Sequence, residues 1–306
     1  MSTEKVTPPH FGIPFGFAGL AGAWRLLDWR WAQPVADLLA GFSAVVLLVL
    51  VTQWLSQLWR RDSHLAVELR DPVQGPSVPV CAITAMLLSG RLVGLHLLVG
   101  RPLVVCFAAL TLAGGSAVVA AWLLARLPLR SYHPGFYLPT AGGSLLAAQA
   151  LGALGHGTTS RVLLGVGVAC WLVLGVVTTV RLVVAPLPAA LRPALVIELA
   201  APALAANTYL TVNARYDGWA VALTVLTLLL ALAQVPLAPY YRAAPFGIGH
   251  WSAGFSYATV AALALRWVDH EQPPAATVWS ALTITFATGV LAALSVATLR
   301  ADRRAR

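Results

Sequence analysis

Apolar residues along this chain neither alternate nor return at helical spacing on one face. They run almost unbroken for about twenty residues at a time, and short gaps between the runs hold most of the charges. A helix of that length spans the ~30 Å hydrocarbon layer of a bilayer at 1.5 Å per residue. The pattern predicts ten spans, at 11–29, 35–58, 78–97, 102–124, 136–154, 162–184, 193–212, 218–240, 246–267 and 277–298. Most gaps are a handful of residues, so consecutive helices are expected to be antiparallel neighbours. The longest gap, Trp59 to Ser77, contains RRDSHLAVELRD. It is expected to form a short amphipathic helix on the membrane surface, with Asp62, His64, Glu68 and Asp71 on a solvated face. Residues 1–306 read as one all-α transmembrane domain.

Composition narrows the class further. Only 10% of residues are charged and the mean hydropathy is +0.79, against about 25% charged in an ordinary soluble domain. Such a chain has too little polar surface to form a water-soluble enzyme, and its apolar runs are too long for the strands of a porin-type barrel. The net charge of +9 is spread over the gaps rather than clustered, a topology signal and not a nucleic-acid site. An even number of spans puts both termini on one side. That side collects thirteen of the 20 basic residues, from Lys5 and Arg60 to Arg304 and Arg306; the opposite side collects Arg25, Arg30, Arg91, Arg101, Arg161, Arg215 and Arg266. The richer side is expected to be cytoplasmic, in the inner or plasma membrane. Met1 to Pro9 lacks the basic leader of a signal peptide, so the first helix is expected to be retained.

The spans fall into two kinds. Odd-numbered ones carry breaks and polar residues: Pro14 in the first, Pro79 at the start of the third, Pro139 with Thr140 and Ser144 in the fifth, and Pro202 with Glu198 and Asn207 in the seventh. The ninth has Gly249, Gly254, Ser252 and Ser256. A proline frees a backbone carbonyl and bends the axis, and in lipid the freed group needs a partner or a wet cavity. Five hairpins follow, each with a kinked inner helix and a straighter outer one, around a central passage. Gly16, Gly19 and Gly22 form a small-residue stripe that serves close helix packing or widens a pore.

Little else offers chemistry. Cys81, Cys106 and Cys170 lack metal-ligand spacing and read as apolar fillers. His10, His133 and His250 share one level at the starts of odd spans, but no HxxxH or HExxH spacing accompanies them, so neither metal nor another cofactor is expected. Glu198 is the one acid well inside a span. Intramembrane carboxyls are costly and functional by default, so it is a proton-site candidate, weighed against a locally bonded carboxyl near an entrance. Without a mid-membrane basic cluster, anion preference is expected to rest on helix termini and on hydroxyl and amide donors, with Thr140, Ser144, Asn207 and Ser256 as candidates.

Four segments together resemble one family along the whole chain. They are FGIPFGFAGLAGAWR (11–25), SYHPGFYLPTAGGS (131–144), APALAANTYLTVN (201–213) and PFGIGHWSAGFSYATVA (245–261), and they are similar to the tellurite-resistance/dicarboxylate transporter (TDT) family of anion channels and carriers. The resemblance implies a homotrimer of pores with quasi-five-fold arrangement, each plugged by a phenylalanine on the ninth helix; the matching position is Phe255, beside Gly254. It also implies a small anion as cargo: halide, nitrate, sulfite, a tellurium oxyanion or a C4-dicarboxylate. The expectation is therefore a channel gated by Phe255, with pore-lining candidates Gly16, Thr140, Ser144, Asn207, Gly254 and Ser256 and kinks at Pro14, Pro139 and Pro202. Its expected partners are the lipid bilayer and small anions. A proton-coupled mono- or dicarboxylate carrier using Glu198 is the alternative within transport. From another class, the alternative is a membrane-embedded redox or lipid enzyme.

Overall fold

Unbroken apolar runs give helices, because in hydrocarbon only a helix satisfies its own backbone. The computed structural model describes residues 5–305; Met1 to Glu4 and Arg306, and the side chains of Arg304 and Ala305, lie outside the description. Its helices are α1 (Gly12–Trp24), α2 (Ala32–Trp59), α3 (Leu65–Arg70), α4 (Val80–Gly94), α5 (Gly100–Ala125), α6 (Gly143–Ala153), α7 (Gly157–Val184), α8 (Ile197–Asn213), α9 (Gly218–Arg242), α10 (Ser252–Glu271) and α11 (Ala276–Ala305). Among the described residues, seven stretches are long and apolar enough to cross a membrane: Ala32–Trp59, Gly75–Gly94, Gly100–Ala125, Gly157–Val184, Ala189–Asn213, Gly218–Arg242 and Ala276–Arg303.

The expected spans 11–29, 136–154 and 246–267 overlap α1, α6 and α10, which are not among these seven, and each departs from an uninterrupted apolar rod for a visible reason. A 3-10 turn, Pro8–Phe11, precedes the thirteen residues of α1. A 3-10 turn at Pro134–Tyr137 and a π-turn at Leu138–Gly142 take up the start of the fifth run, leaving eleven residues for α6. Polar residues dilute α10, which ends in Asp269, His270 and Glu271.

Packing separates the helices into two sets. α1 packs on α4 and α10, α4 on α6, α6 on α8, and α8 on α10, so these five close a circuit of contacts; α2, α5, α7, α9 and α11 pack outside them. Burial follows the same division. Twelve of the seventeen residues of α8 are buried, against five of the twenty-eight in α7. Exposed large apolar side chains occur on α2, α5, α7, α9, α11 and the short α3, and among the described residues none lies on α1, α4, α6, α8 or α10. Apolar surface on that scale is unsuited to water and suited to acyl chains.

Polar side chains inside the bundle mostly serve backbone carbonyls. Ser43 Oγ on α2 donates to the Pro14 carbonyl (2.7 Å), and Thr208 Oγ1 on α8 to the Leu145 carbonyl of α6 (3.3 Å). Asn207 Nδ2 donates to the carbonyls of Ala203 and Thr259 (both 2.9 Å), tying α8 to α10. Between α2 and α4, Arg91 Nη2 meets Asp37 Oδ2 at 2.6 Å. Each such interhelical bond contributes ~0.6 kcal/mol on average in a membrane bundle. One expectation is corrected here. The polar run at 62–71 is not a uniformly solvated face: Glu68 is buried and accepts from Trp54 Nε1 (2.9 Å), while Asp71 caps the backbone N–H groups of Val73 and Gln74 (2.8 Å each). This anchors α3 and carries the following loop toward the mouth of the bundle.

Candidate functional site: two cavities sharing one wall

The amino ends of the inner helices converge on a cavity of about 650 Å³. Its wall includes Gly12 and Phe15 from α1, Val80 and Ile83 from α4, and Tyr137 and Leu138 before α6; Ile197 and Leu204 from α8 and Phe255 and Ser256 from α10 complete it. Beyond it, toward the carboxyl ends, lies a second cavity of about 110 Å³, bordered by Gly19, Gly22, Gln149, Asn207, Thr259 and Arg266. Phe255, Leu146 and Leu204 border both. These three apolar side chains are the partition between the two spaces. Phe255 is 8% exposed and stacks on Phe15, with ring centroids 3.8 Å apart and planes at 11°.

The backbone around Phe255 explains its position. Gly16 of α1 and Gly254 of α10 face each other, so that a Cβ on Gly16 would lie 3.4 Å from the Gly254 Cα. That close approach lays α1 against α10 and brings the ring over Gly19, where an added Cβ would come within 2.7 Å of Phe255 Cδ2. The small-residue stripe of α1 thus seats the aromatic ring. Gly115 does a comparable job outside: an added Cβ there would collide with the Pro139 carbonyl oxygen, so α5 can support the π-turn only through a bare glycine.

The sequence places Phe255, Gly16, Thr140, Ser144, Asn207, Gly254 and Ser256 together at one pore, and the cavities take up only some of them. Phe255, Ser256 and Asn207 border them; Gly16 and Gly254 meet in the contact of α1 with α10, and Thr140 and Ser144 are in neither cavity wall. Ser144 is buried in α6. Thr140 Oγ1 donates to the Phe136 carbonyl (3.2 Å) and Ser256 Oγ to that of Ser252 (2.8 Å). These two donors and the Asn207 amide are therefore engaged by backbone. Pro14 lies in the first turn of α1, Pro139 in the π-turn, and Pro202 inside α8, where its ring deprives the Glu198 carbonyl of an intrahelical donor. The Tyr137 hydroxyl is 3.0 Å from both Glu198 carboxylate oxygens and donates between them. Tyr137 borders the large cavity and the Glu198 carboxylate lies behind it. Sequence reasoning missed Phe15, Leu146 and Leu204, which as apolar residues in apolar helices give no signal of their own.

The three histidines have a shared local job. His10 Nδ1 accepts from Thr7 N (3.2 Å), His133 Nδ1 from Gly135 N (3.1 Å) and His250 Nδ1 from Gly247 N (3.3 Å), so each closes the 3-10 turn that opens an inner helix. Among the described residues no group of three or more His, Cys, Asp or Glu is placed to hold a metal ion. His133, 4% exposed, is the most enclosed; because Nδ1 accepts, Nε2 carries the proton and donates to the Pro72 carbonyl (2.9 Å). Burial, and secondarily the Arg181 charge, lowers its pKa below the usual value near 6.5, against the opposing pull of the Pro72 bond and of Asp71. The unfolded chain then binds the extra proton first, so the neutral imidazole stabilises the fold above pH ~6.5 and that contribution is lost on acidification. The melting temperature of purified protein is expected to fall between pH ~7 and ~5. His133→Gln should lower it at neutral pH yet flatten the acid slope, and an unchanged slope would remove this role.

Lipid-facing outer helices around a closed circuit of kinked, glycine-bearing ones, with two axial cavities, define a multi-pass helical membrane protein of the channel or transporter class. Residues 5–299 match the voltage-dependent anion channel (SLAC1) family, and the chain belongs to that family. It is also similar to the tellurite resistance protein TehA homolog of Haemophilus influenzae, 25% identical over 269 residues that cover 85% of this chain and 82% of the relative.

Proposed function

We propose that the protein moves small anions across the cell membrane through a conduit enclosed by α1, α4, α6, α8 and α10, and that Phe255 is its gate. On this reading the described helices other than α3 form five hairpins that cross the bilayer, and α3 lies at its surface. Both termini are cytoplasmic, and the large cavity is the cytoplasmic vestibule. The family resemblance further makes the working unit a homotrimer. One observation carries the proposal: the wall shared by two axial cavities is built from Phe255, Leu146 and Leu204. An apolar partition of that kind excludes hydrated ions by dewetting, and moving the ring restores a wet path.

The test is efflux from proteoliposomes with a panel of chloride, nitrate, sulfite, tellurite and succinate, comparing wild type with Phe255→Ala. Faster anion release by the variant, with potassium left behind, is expected; equal impermeability of two folded proteins would contradict the gate. The Tyr137–Glu198 pair at the vestibule wall favours a second reading, proton-linked carriage. There, Glu198→Gln should abolish uptake driven by a pH gradient while leaving the protein folded. Coupling that survives Glu198→Gln discards the carrier.

A further inference from the structure

On the far side of the partition, the small cavity holds an arginine with no acid beside it. Arg266 lies on α10, and its Nη2 donates to Thr211 Oγ1 on α8 (3.1 Å); its buried Nε has no partner. No described carboxylate forms an ion pair with it, in contrast to Arg91, which has Asp37. The remaining polar wall is Gln149 from α6, Asn207 from α8 and Thr259 from α10, and the Asn207 Oδ1 is likewise buried and unpartnered. Arg266 is half-buried with its Nε enclosed; a guanidinium in that position without a counter-charge is unfavourable, and snorkelling to an interface is the usual relief. Here the bond to Thr211 keeps the group at the wall of the small cavity.

We propose that Arg266 is the anion-selecting residue of the conduit, a single-charge station on the carboxyl-end side of Phe255 that takes a small monovalent inorganic anion. The inference rests on the channel reading above and specifies its cargo. The passing ion supplies the counter-charge that the protein withholds, and the guanidinium offers it N–H donors that backbone carbonyls have not already taken. A volume of about 110 Å³, the smaller of the two axial spaces, leaves room for a halide or nitrate with partial hydration. One positive charge without a second cation or a closed ring of donors binds weakly, as rapid passage requires.

The test uses the full-length protein in planar bilayers under a potassium chloride gradient, with the gate removed. Phe255→Ala should give an anion-selective reversal potential. Adding Arg266→Gln should lower the chloride-to-potassium permeability ratio by about tenfold, equivalent to ~1.4 kcal/mol in relative barrier, whereas Arg266→Lys in the same background should keep most of the selectivity. An unchanged ratio in Phe255→Ala/Arg266→Gln overturns the site and leaves the channel reading intact. Absence of any anion current in folded Phe255→Ala contradicts the channel reading. The site is then decided by bromide anomalous density in wild-type crystals: a peak beside Arg266 supports it, and no peak there overturns it.

Discussion

Phe255→Ala is expected to raise chloride conductance by on the order of a hundredfold, the effect of lowering a barrier by about 2.7 kcal/mol. The ring fills the space between a vestibule of about 650 Å³ and a chamber of about 110 Å³, so its removal joins them behind only Leu146 and Leu204. The cost in stability should be smaller than the ~3–5 kcal/mol typical of burying a cavity in place of phenylalanine, because water can enter from either side. Phe15 supports the ring from behind at 3.8 Å, a stack worth about 0.5–1.5 kcal/mol beyond burial. Gly19→Ala acts on the same ring from another direction: its methyl would meet Phe255 Cδ2 at 2.7 Å, so the ring must turn. Single-channel recording of Phe255→Ala and Gly19→Ala should show both above wild type, with Phe255→Ala larger; conductance lowered by Gly19→Ala would mean that the ring has nowhere to move.

Gly115→Ala is expected to cause the largest loss of stability. Its methyl would be aimed at the carbonyl oxygen of Pro139, a backbone atom of the π-turn and not the movable end of a side chain. Overpacking of that kind costs about 1–3 kcal/mol or more. Gly165→Ala, where an added Cβ meets nothing within 4 Å, should gain up to ~1 kcal/mol from helix propensity instead. Thermal unfolding in detergent should therefore move the two variants in opposite directions. Equal melting temperatures would show that α5 can draw away from the π-turn without penalty.

The helices were legible in the sequence because an apolar run of about twenty residues has few other structures open to it in a bilayer. Their starts were not. The runs at 11–29 and 136–154 begin with 3-10 and π-turns, which preserve hydropathy while changing backbone geometry. Phe255 was reached through resemblance, since periodicity cannot distinguish a ring facing a conduit from one facing lipid. Phe15, Leu146 and Leu204 had not even that signal. The histidines carried a readable pattern, Thr7-x-x-His10 and Gly247-x-x-His250, in which the ring returns to the backbone three residues earlier; spacing alone therefore held the alternative to a metal site. Arg266 read as one of the basic residues near an outer boundary, and only packing shows its guanidinium turned inward beside Thr211.

Side-specific cysteine labelling tests the partition most directly. In a background with Cys81, Cys106 and Cys170 changed to serine, Ser256→Cys marks the vestibule and Gly22→Cys the small chamber, where an added side chain has room. A small membrane-impermeant anionic thiol reagent applied on the vestibule side should modify Ser256→Cys and leave Gly22→Cys untouched while Phe255 is present. It should reach Gly22→Cys once Phe255 is alanine. Equal labelling of Gly22→Cys from the vestibule side with Phe255 in place, or no gain when the ring is removed, would contradict the account.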